Sequence, residues 1–202
     1  MELTLTRFIK DTLRKVDDIS IIEFELRYGC ISNESYKNGL SKEVFYKLES
    51  TLAKEIPDQV TTISYDIICY NNDKIIFEDQ NIKTLNKNKI DTKLFANKQK
   101  FDIKISASTE NIISNIKPVD YTYNALLNHY KNSQSTKLTR TKNRKSYKDS
   151  INMIQYDFTV VDDSLYELEI EYIGCQYNPN NIINSLLHGF NKINGIYSLS
   201  LI

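Results

Sequence analysis

The chain has 202 residues but no tryptophan, and it holds only 5 glycines, 3 prolines, 3 cysteines and 2 histidines. Each scarcity excludes something. So little glycine and proline rules out collagen-like repeats and Pro-rich disorder. Cys30, Cys69 and Cys175 are far apart, odd in number and without a Cys-x-x-Cys pair. They indicate free thiols in a reducing compartment, neither a disulfide framework nor a zinc site. His129 and His188 stand alone in helix-like contexts and do not point to histidine-centred catalysis. There is no Gly-rich phosphate loop, internal repeat or heptad series. No apolar h-region precedes a small-residue cleavage site near the start, and no apolar run is long enough for a bilayer. A soluble intracellular protein with no membrane partner is the expectation. Net charge is also missing: 26 basic residues balance 26 acidic ones. Any affinity for a polyanion must therefore come from local clustering.

What the chain has is alternation. Tyr166-Glu167-Leu168-Glu169-Ile170-Glu171-Tyr172 places Glu167, Glu169 and Glu171 on one face of a strand, and Tyr166, Leu168, Ile170 and Tyr172 on the other. A single strand of this kind simply turns its acids to solvent. Here the arrangement recurs near the other end of the chain. In Ile22-Glu23-Phe24-Glu25-Leu26-Arg27-Tyr28 the residues Glu23, Glu25 and Arg27 oppose Ile22, Phe24, Leu26 and Tyr28. With basic alternating strands between the two, a closed barrel with a charged interior and an exterior packed under helices satisfies the pattern. The 14 Tyr, 8 Phe and many Ile favour strands.

In order along the chain, residues 3–17 have helical spacing, and a strand covers 19–30. Ser41 caps a second helix that Pro57 stops. Residues 59–70 are β-rich, and 74–78 pair back on them across an Asn71-Asn72-Asp73 turn. The polar stretch 80–97 reads as short strands near 82–85 and 90–95. In 101–109, Asp102, Lys104, Ser106 and Ser108 oppose Ile103, Ile105 and Ala107. A short helix is expected around 123–130. Residues 137–147 carry Arg140, Lys142, Arg144 and Ser146 at every second position, but the opposite face (Thr139, Thr141, Asn143, Lys145) is not apolar. That run reads as a loop, a localisation patch or a strand that contacts phosphate. A strand at 151–161 and a turn at 162–164 lead into the acidic strand. A last amphipathic helix follows Pro179, and 197–202 reads as an edge strand or packed tail.

The inward faces collect six acids (Glu23, Glu25, Asp157, Glu167, Glu169, Glu171) and five bases (Arg27, Lys104, Arg140, Lys142, Arg144). Such an interior is too costly unless it is wet and paired, or holds a metal and an anion. Carboxylates without His or Cys select Mg²⁺ or Mn²⁺. Arg and Lys opposite them suit phosphoryl oxygens, so hydrolysis of a phosphoanhydride by water is the economical chemistry.

The ordered set Glu23-Phe24-Glu25-Leu26-Arg27-Tyr28-Gly29, Lys104-Ile105-Ser106, Arg140-x-Lys142-x-Arg144-x-Ser146, Asp157-x-Thr159 and Glu167-x-Glu169-x-Glu171 resembles the triphosphate tunnel metalloenzymes. Within them it looks most like the metal-dependent mRNA-capping RNA 5′-triphosphatases of fungi, protozoa and large DNA viruses. The resemblance runs from about residue 20 to 173. It implies an α+β fold, mainly antiparallel β, in which roughly eight strands close a tunnel flanked by helices. It further implies that Glu23, Glu25, Glu169 and Glu171 hold Mg²⁺ or Mn²⁺, that Arg144 joins them in catalysis, and that Arg27, Lys104, Arg140, Lys142 and Arg144 bind triphosphate. Asp157 and Glu167 are expected to orient cations or water. Lys104 stands where the family often has Arg, and the basic contributors expected within 72–97 (Lys74, Lys87 and Lys89 being the options) are not assigned. Residues 115–136 look like an insertion.

The expected activity is removal of the γ-phosphate from 5′-triphosphate RNA. The expected partner is a guanylyltransferase, in trans or as a fused domain, with 1–202 forming one tunnel domain that is complete or the N-terminal part of a longer capping enzyme. The compartment would be cytoplasm or nucleus, or a virion for a viral source. The alternatives are a tunnel acting on tripolyphosphate, free NTP or thiamine triphosphate, and a non-catalytic RNA-binding barrel.

Overall fold

In a computed structural model the alternating runs close into a barrel, described here for residues 2–16, 22–32, 35–56, 60–70, 73–78, 81–96, 101–116, 120–134, 136–175 and 178–199. The strands are β1 (Ile22–Ser32), β2 (Ser35–Asn38), β3 (Val60–Tyr70), β4 (Asp73–Glu78), β5 (Asn81–Phe95), β6 (Asp102–Ile116), β7 (Thr136–Asp149), β8 (Ile154–Val161) and β9 (Leu165–Tyr172). The helices are α1 (Glu2–Leu13), α2 (Lys42–Glu55), α3 (Asp120–Asn132) and α4 (Pro179–Leu199). Every strand pairing is antiparallel. The order β1-β6-β5-β4-β3-β7-β8-β9 returns to β1, so eight strands make a closed ring and β2 is a ninth strand added to β1. The expected α+β barrel with flanking helices is the observed fold.

Closure needs register. Glu25 faces Glu171, Leu26 faces Ile170 and Arg27 faces Glu169 where β9 meets β1. On β1's other edge Glu23 pairs with Ser108, Glu25 with Ser106 and Arg27 with Lys104. A one-residue slip would invert every side chain, so the apolar face fixes the register. That face (Phe24, Leu26, Tyr28, Ile103, Ile105, Ile154, Tyr156, Leu168, Ile170) is buried outside the barrel wall under α1, α2 and α4. Leu5, Phe8, Ile9 and Thr12 are the buried stripe of α1, at helical spacing. Ser41 caps α2 as expected, its Oγ accepting from Val44 N at 3.3 Å. The β8–β9 turn has Asp162 and Asp163 at φ 49° and 53°. The loop has three residues, Asp162 to Ser164, and Ser164 N donates to Val161 O at 3.1 Å to close a turn around the two positive-φ aspartates.

Four expectations change. Residues 81–95 form one continuous strand with bulges at Thr84/Leu85 and Lys89/Asp91, where two short strands were expected. The strand begun at Asp102 runs past its expected end at 109 to Ile116, into the first two residues of the expected insertion. The basic run is a true strand, β7, whose non-apolar outer face (Thr139, Thr141, Asn143, Lys145) is simply exposed. Residues 197–199 belong to α4, where Tyr197 packs on Phe101 at 4.6 Å between ring centroids, so they form no edge strand. Pro57 and residues 200–202 lie outside the described residues. Helix α3 covers a second, small apolar cluster of Ile68, Ile75, Phe77 and Ile82. Among the described residues no helix is long and apolar enough to cross a membrane.

Candidate functional site inside the barrel

On β1, β7 and β9 the side chains that line the lumen are charged, and the barrel brings them together, with Ile63, Ile67, Ile76 and Leu85 contributing to the lining. They enclose a cavity of about 180 Å³ lined by Glu23, Glu25 and Arg27 of β1, Lys142 and Arg144 of β7, and Glu169 and Glu171 of β9. All seven were expected in the site. Glu25 and Glu169 are each 6% exposed, whereas Glu23 and Glu171 are half-buried. Glu23, Glu25 and Glu169 are paired with cations of the lumen. Arg27 Nη2 lies 2.9 Å from Glu25 Oε2, and its Nε lies 3.1 Å from Glu169 Oε1. Arg144 reaches Asp157 Oδ2 at 2.9 Å and Glu169 Oε2 at 3.5 Å, while its Nε donates to Thr159 Oγ1 at 3.2 Å. Lys142 meets Glu167 at 3.0 Å.

Asp157 and Glu167, at 1% and 3% exposure, therefore stand behind the cavity as partners of the cations that line it. Lys104 sits at one end of the barrel with its ammonium 5.2 Å from the Tyr36 ring centroid. Arg140 lies on the same face of β7 as Lys142, paired with Ile67, and does not line the cavity.

The cavity also includes residues the sequence reading did not assign: Lys74 and Glu78 of β4, Lys87 of β5, Glu110 of β6 and Tyr65 of β3. Lys87 pairs with Glu23, which also accepts from Ser108 Oγ at 3.3 Å. Lys74 lies 3.7 Å from Glu110. Alternation in Lys74-x-Ile76-x-Glu78 and Lys83-x-Leu85-x-Lys87 carries this signal, but the two bulges of β5 break the parity that would extend it.

Charge crowding decides the chemistry. Burial opposes the charge of Arg27 and of Arg144, yet Glu169 with Glu25, and Asp157, respectively outweigh it and hold both guanidiniums cationic. Burial likewise works against the Glu169 carboxylate, but Arg27 and Arg144 keep it below the usual range. Glu171 forms no ion pair among the described residues. Burial, then Glu23, Asp157 and Glu25, outweigh Arg144 and push its carboxyl up to about 8. Burial and the charge of Arg27 push the Lys104 ammonium down.

A hard divalent cation fits this wall. Glu25 and Glu171 are directly opposed in register, a destabilising like-charge pair unless a proton or cation lies between them. Glu169 Oε1, although close to Arg27 Nε, is buried without an aligned hydrogen-bond partner. No three acidic, His or Cys side chains among the described residues form a finished chelate, because Glu23 and Glu25 are turned to Lys87 and Arg27.

The result is an antiparallel eight-stranded ring with both signs of charge in its lumen and helices outside. Among solved structures the chain is similar to the RNA triphosphatase Pct1 of S. pombe, at 15% identity and TM-score 0.66, with 96% of this chain and 91% of that one covered. Pct1 in complex with the Spt5 CTD gives 16% identity and TM-score 0.63, over 97% and 88% of the two chains. At these identities the likeness is one of fold. No family model matches the chain, and neither does any curated protein.

Proposed function

We propose that the protein is a divalent-metal-dependent phosphohydrolase that removes the γ-phosphate from 5′-triphosphate RNA and leaves a 5′-diphosphate end, the first step of mRNA capping. The observation that carries this is that Glu23, Glu25, Glu169 and Glu171 line one cavity together with Lys74, Lys87, Lys142 and Arg144. Glu23, Glu25, Glu169 and Glu171 would hold Mg²⁺ or Mn²⁺, which supplies neutralisation of phosphoryl charge when bound. Lys142 and Arg144 bind phosphoryl oxygens, Arg144 with a fork that suits two of them at once. Glu167 and Asp157 hold those two cations in place. Their fixed charge offsets the charge that builds up in the transition state without reorganisation. The acids orient the attacking water. A guanylyltransferase would consume the diphosphate end.

The same cations contact only phosphoryl groups, so a tunnel acting on tripolyphosphate, free NTP or thiamine triphosphate is the second reading. Phosphate release from γ-labelled triphosphate RNA, with Mg²⁺, Mn²⁺ or chelator, tests the first. Metal-dependent release of the γ-phosphate alone is expected, with turnover reduced about 10²- to 10³-fold in Glu169→Gln. Turnover confined to a small triphosphate replaces the substrate. No turnover by folded protein under either metal sinks the hydrolase and leaves a binding barrel.

A further inference from the structure

The ninth strand, β2, adds nothing to barrel closure, yet it is held hard against β1. A Cβ on Gly29 would meet Lys37 O at 2.1 Å and the Tyr36 ring at 2.8 Å, so only glycine permits this approach. Gly39, at φ 110°, then turns the chain away. Register explains what the approach achieves. Ile31 pairs with Tyr36 and Gly29 with Asn38, so Tyr36 and Asn38 share the face of Glu23, Glu25 and Arg27. Tyr36 therefore lies across Gly29 at the end of the lumen. Its hydroxyl donates to Arg27 O at 2.7 Å, which fixes the ring, and the ammonium of Lys104, on the neighbouring strand, is parked over it. Among the described residues no aromatic side chain stacks on Tyr36.

This end of the barrel is the cationic one. Arg27 and Lys104 are paired here, and Arg140 follows Lys142 toward the β8–β9 turn, beside which Leu40 bridges to Tyr166. Of the described acids at this end, Glu167 is engaged by Lys142 and Asn38, Asp102 by Ile31 N and Asp162 by Thr141 N, while Asp163 of the same turn is exposed. The far end carries Glu23, Glu171 and Glu110, of which Glu23 is paired with Lys87 and Glu110 with Lys74, so that among the described residues Glu171 has no ion pair. An anionic chain leaving the lumen is drawn more to the first end than to the second.

We propose that Tyr36 is a stacking platform at the tunnel mouth for the nucleobase of the first nucleotide, and that it makes the site prefer triphosphates carrying a nucleoside. The proposal rests on the tunnel reading above and narrows its substrate class. Aromatic platforms hold bases through their π faces without choosing among them, which suits an end that differs from one transcript to the next. Lys104, loosely held over the ring, moves to the phosphates when a base takes its place. A positively charged heterocycle such as that of thiamine triphosphate would have to share this end with Arg27 and Lys104, which separates a nucleotide from the rival aromatic substrate.

The test is equilibrium binding in chelator of ATP, a 5′-triphosphate RNA oligonucleotide and inorganic tripolyphosphate, to wild type, Tyr36→Leu and Tyr36→Phe. The quantity read is the affinity for each nucleotide relative to tripolyphosphate. Tyr36→Leu lowers that ratio about 5- to 100-fold, the cost of losing one base stack. Tyr36→Phe keeps the ring and holds the wild-type ratio, and circular dichroism checks that both variants keep the barrel. An unchanged ratio in Tyr36→Leu, or an equal drop in Tyr36→Phe, overturns the platform and leaves the tunnel reading standing. Wild type that fails to bind tripolyphosphate overturns both.

Discussion

Glu171 is the acid in the lumen least balanced by cations, and its position dictates a pH dependence. Its carboxyl is pushed from 4.5 to about 8 by burial and by Glu23, Asp157 and Glu25. Between those limits the folded chain binds a proton that the unfolded chain has released. Stability of the metal-free protein therefore falls as pH rises through that window, and below it the group contributes nothing. Glu171→Gln removes the titration. After allowance for solvent screening it should stabilise the protein at pH 8 by about 2 kcal/mol, raising Tm by about 4–8 °C. Thermal melts in chelator from pH 5 to pH 8 read this directly. Parallel pH profiles for wild type and Glu171→Gln would show that the like-charge pair with Glu25 costs nothing. The same residue shows why a lone carboxyl is informative: Glu25 and Glu169 each pair with an arginine, whereas for Glu171 the pull of Arg144 is outweighed by burial and three neighbouring acids.

Helix α4 reaches the barrel through one glycine and ignores another. At Gly189 a Cβ would meet Ile170 Cγ2 at 2.8 Å and Ile154 Cδ1 at 3.0 Å, while at Gly195 nothing lies within 4 Å. Gly189→Ala should cost about 1–3 kcal/mol by pushing α4 off β8 and β9. Gly195→Ala should gain about 0.5–1 kcal/mol from helix propensity. Urea melts of the two variants are expected to shift in opposite directions, and a common sign would contradict the packing at Gly189. Packing of this kind is also what made some elements legible in the sequence. In β1, β6, β8 and β9 one face packs under helices, so apolar and polar residues alternate cleanly and the inward Glu23, Glu25 and Glu169 could be named. The outer face of β7 is bare, so only the Arg140–Ser146 periodicity hinted at a strand. In β5 the residues Asn86, Lys87, Asn88 and Lys89 are polar on both faces and a bulge shifts the parity, so Lys87 went unassigned. Tyr36 had no signal at all, because its place over Gly29 follows from a nonlocal pairing between two strands.

The two apolar clusters divide the molecule unequally. The larger joins α1, α2 and α4 to β1, β6, β8 and β9, whereas the smaller rests on Ile68, Ile75, Phe77 and Ile82 under α3 alone. Local stability follows buried contact, so the wall formed by β3, β4 and the first half of β5 should open well below the global unfolding free energy. Phe77 is the centre of that wall, 2% exposed and edge-on to Tyr123 at 5.4 Å. Phe77→Ala should cost about 3–5 kcal/mol and lower hydrogen-exchange protection in β3 and β4 before any change reaches β8 or β9. The weak wall also carries Lys74 and Lys87, whereas Arg27 stands on the strong one. An anion spanning the lumen ties the two together, and binding to the closed state alone stabilises the part that opens. Tripolyphosphate should thus slow exchange most in β3, β4 and β5, and should restore part of what Phe77→Ala loses. Protection gained evenly over the barrel, or only in β1 and β9, would mean that the anion does not bridge the walls, and that Lys74 and Lys87 serve their acids rather than a ligand.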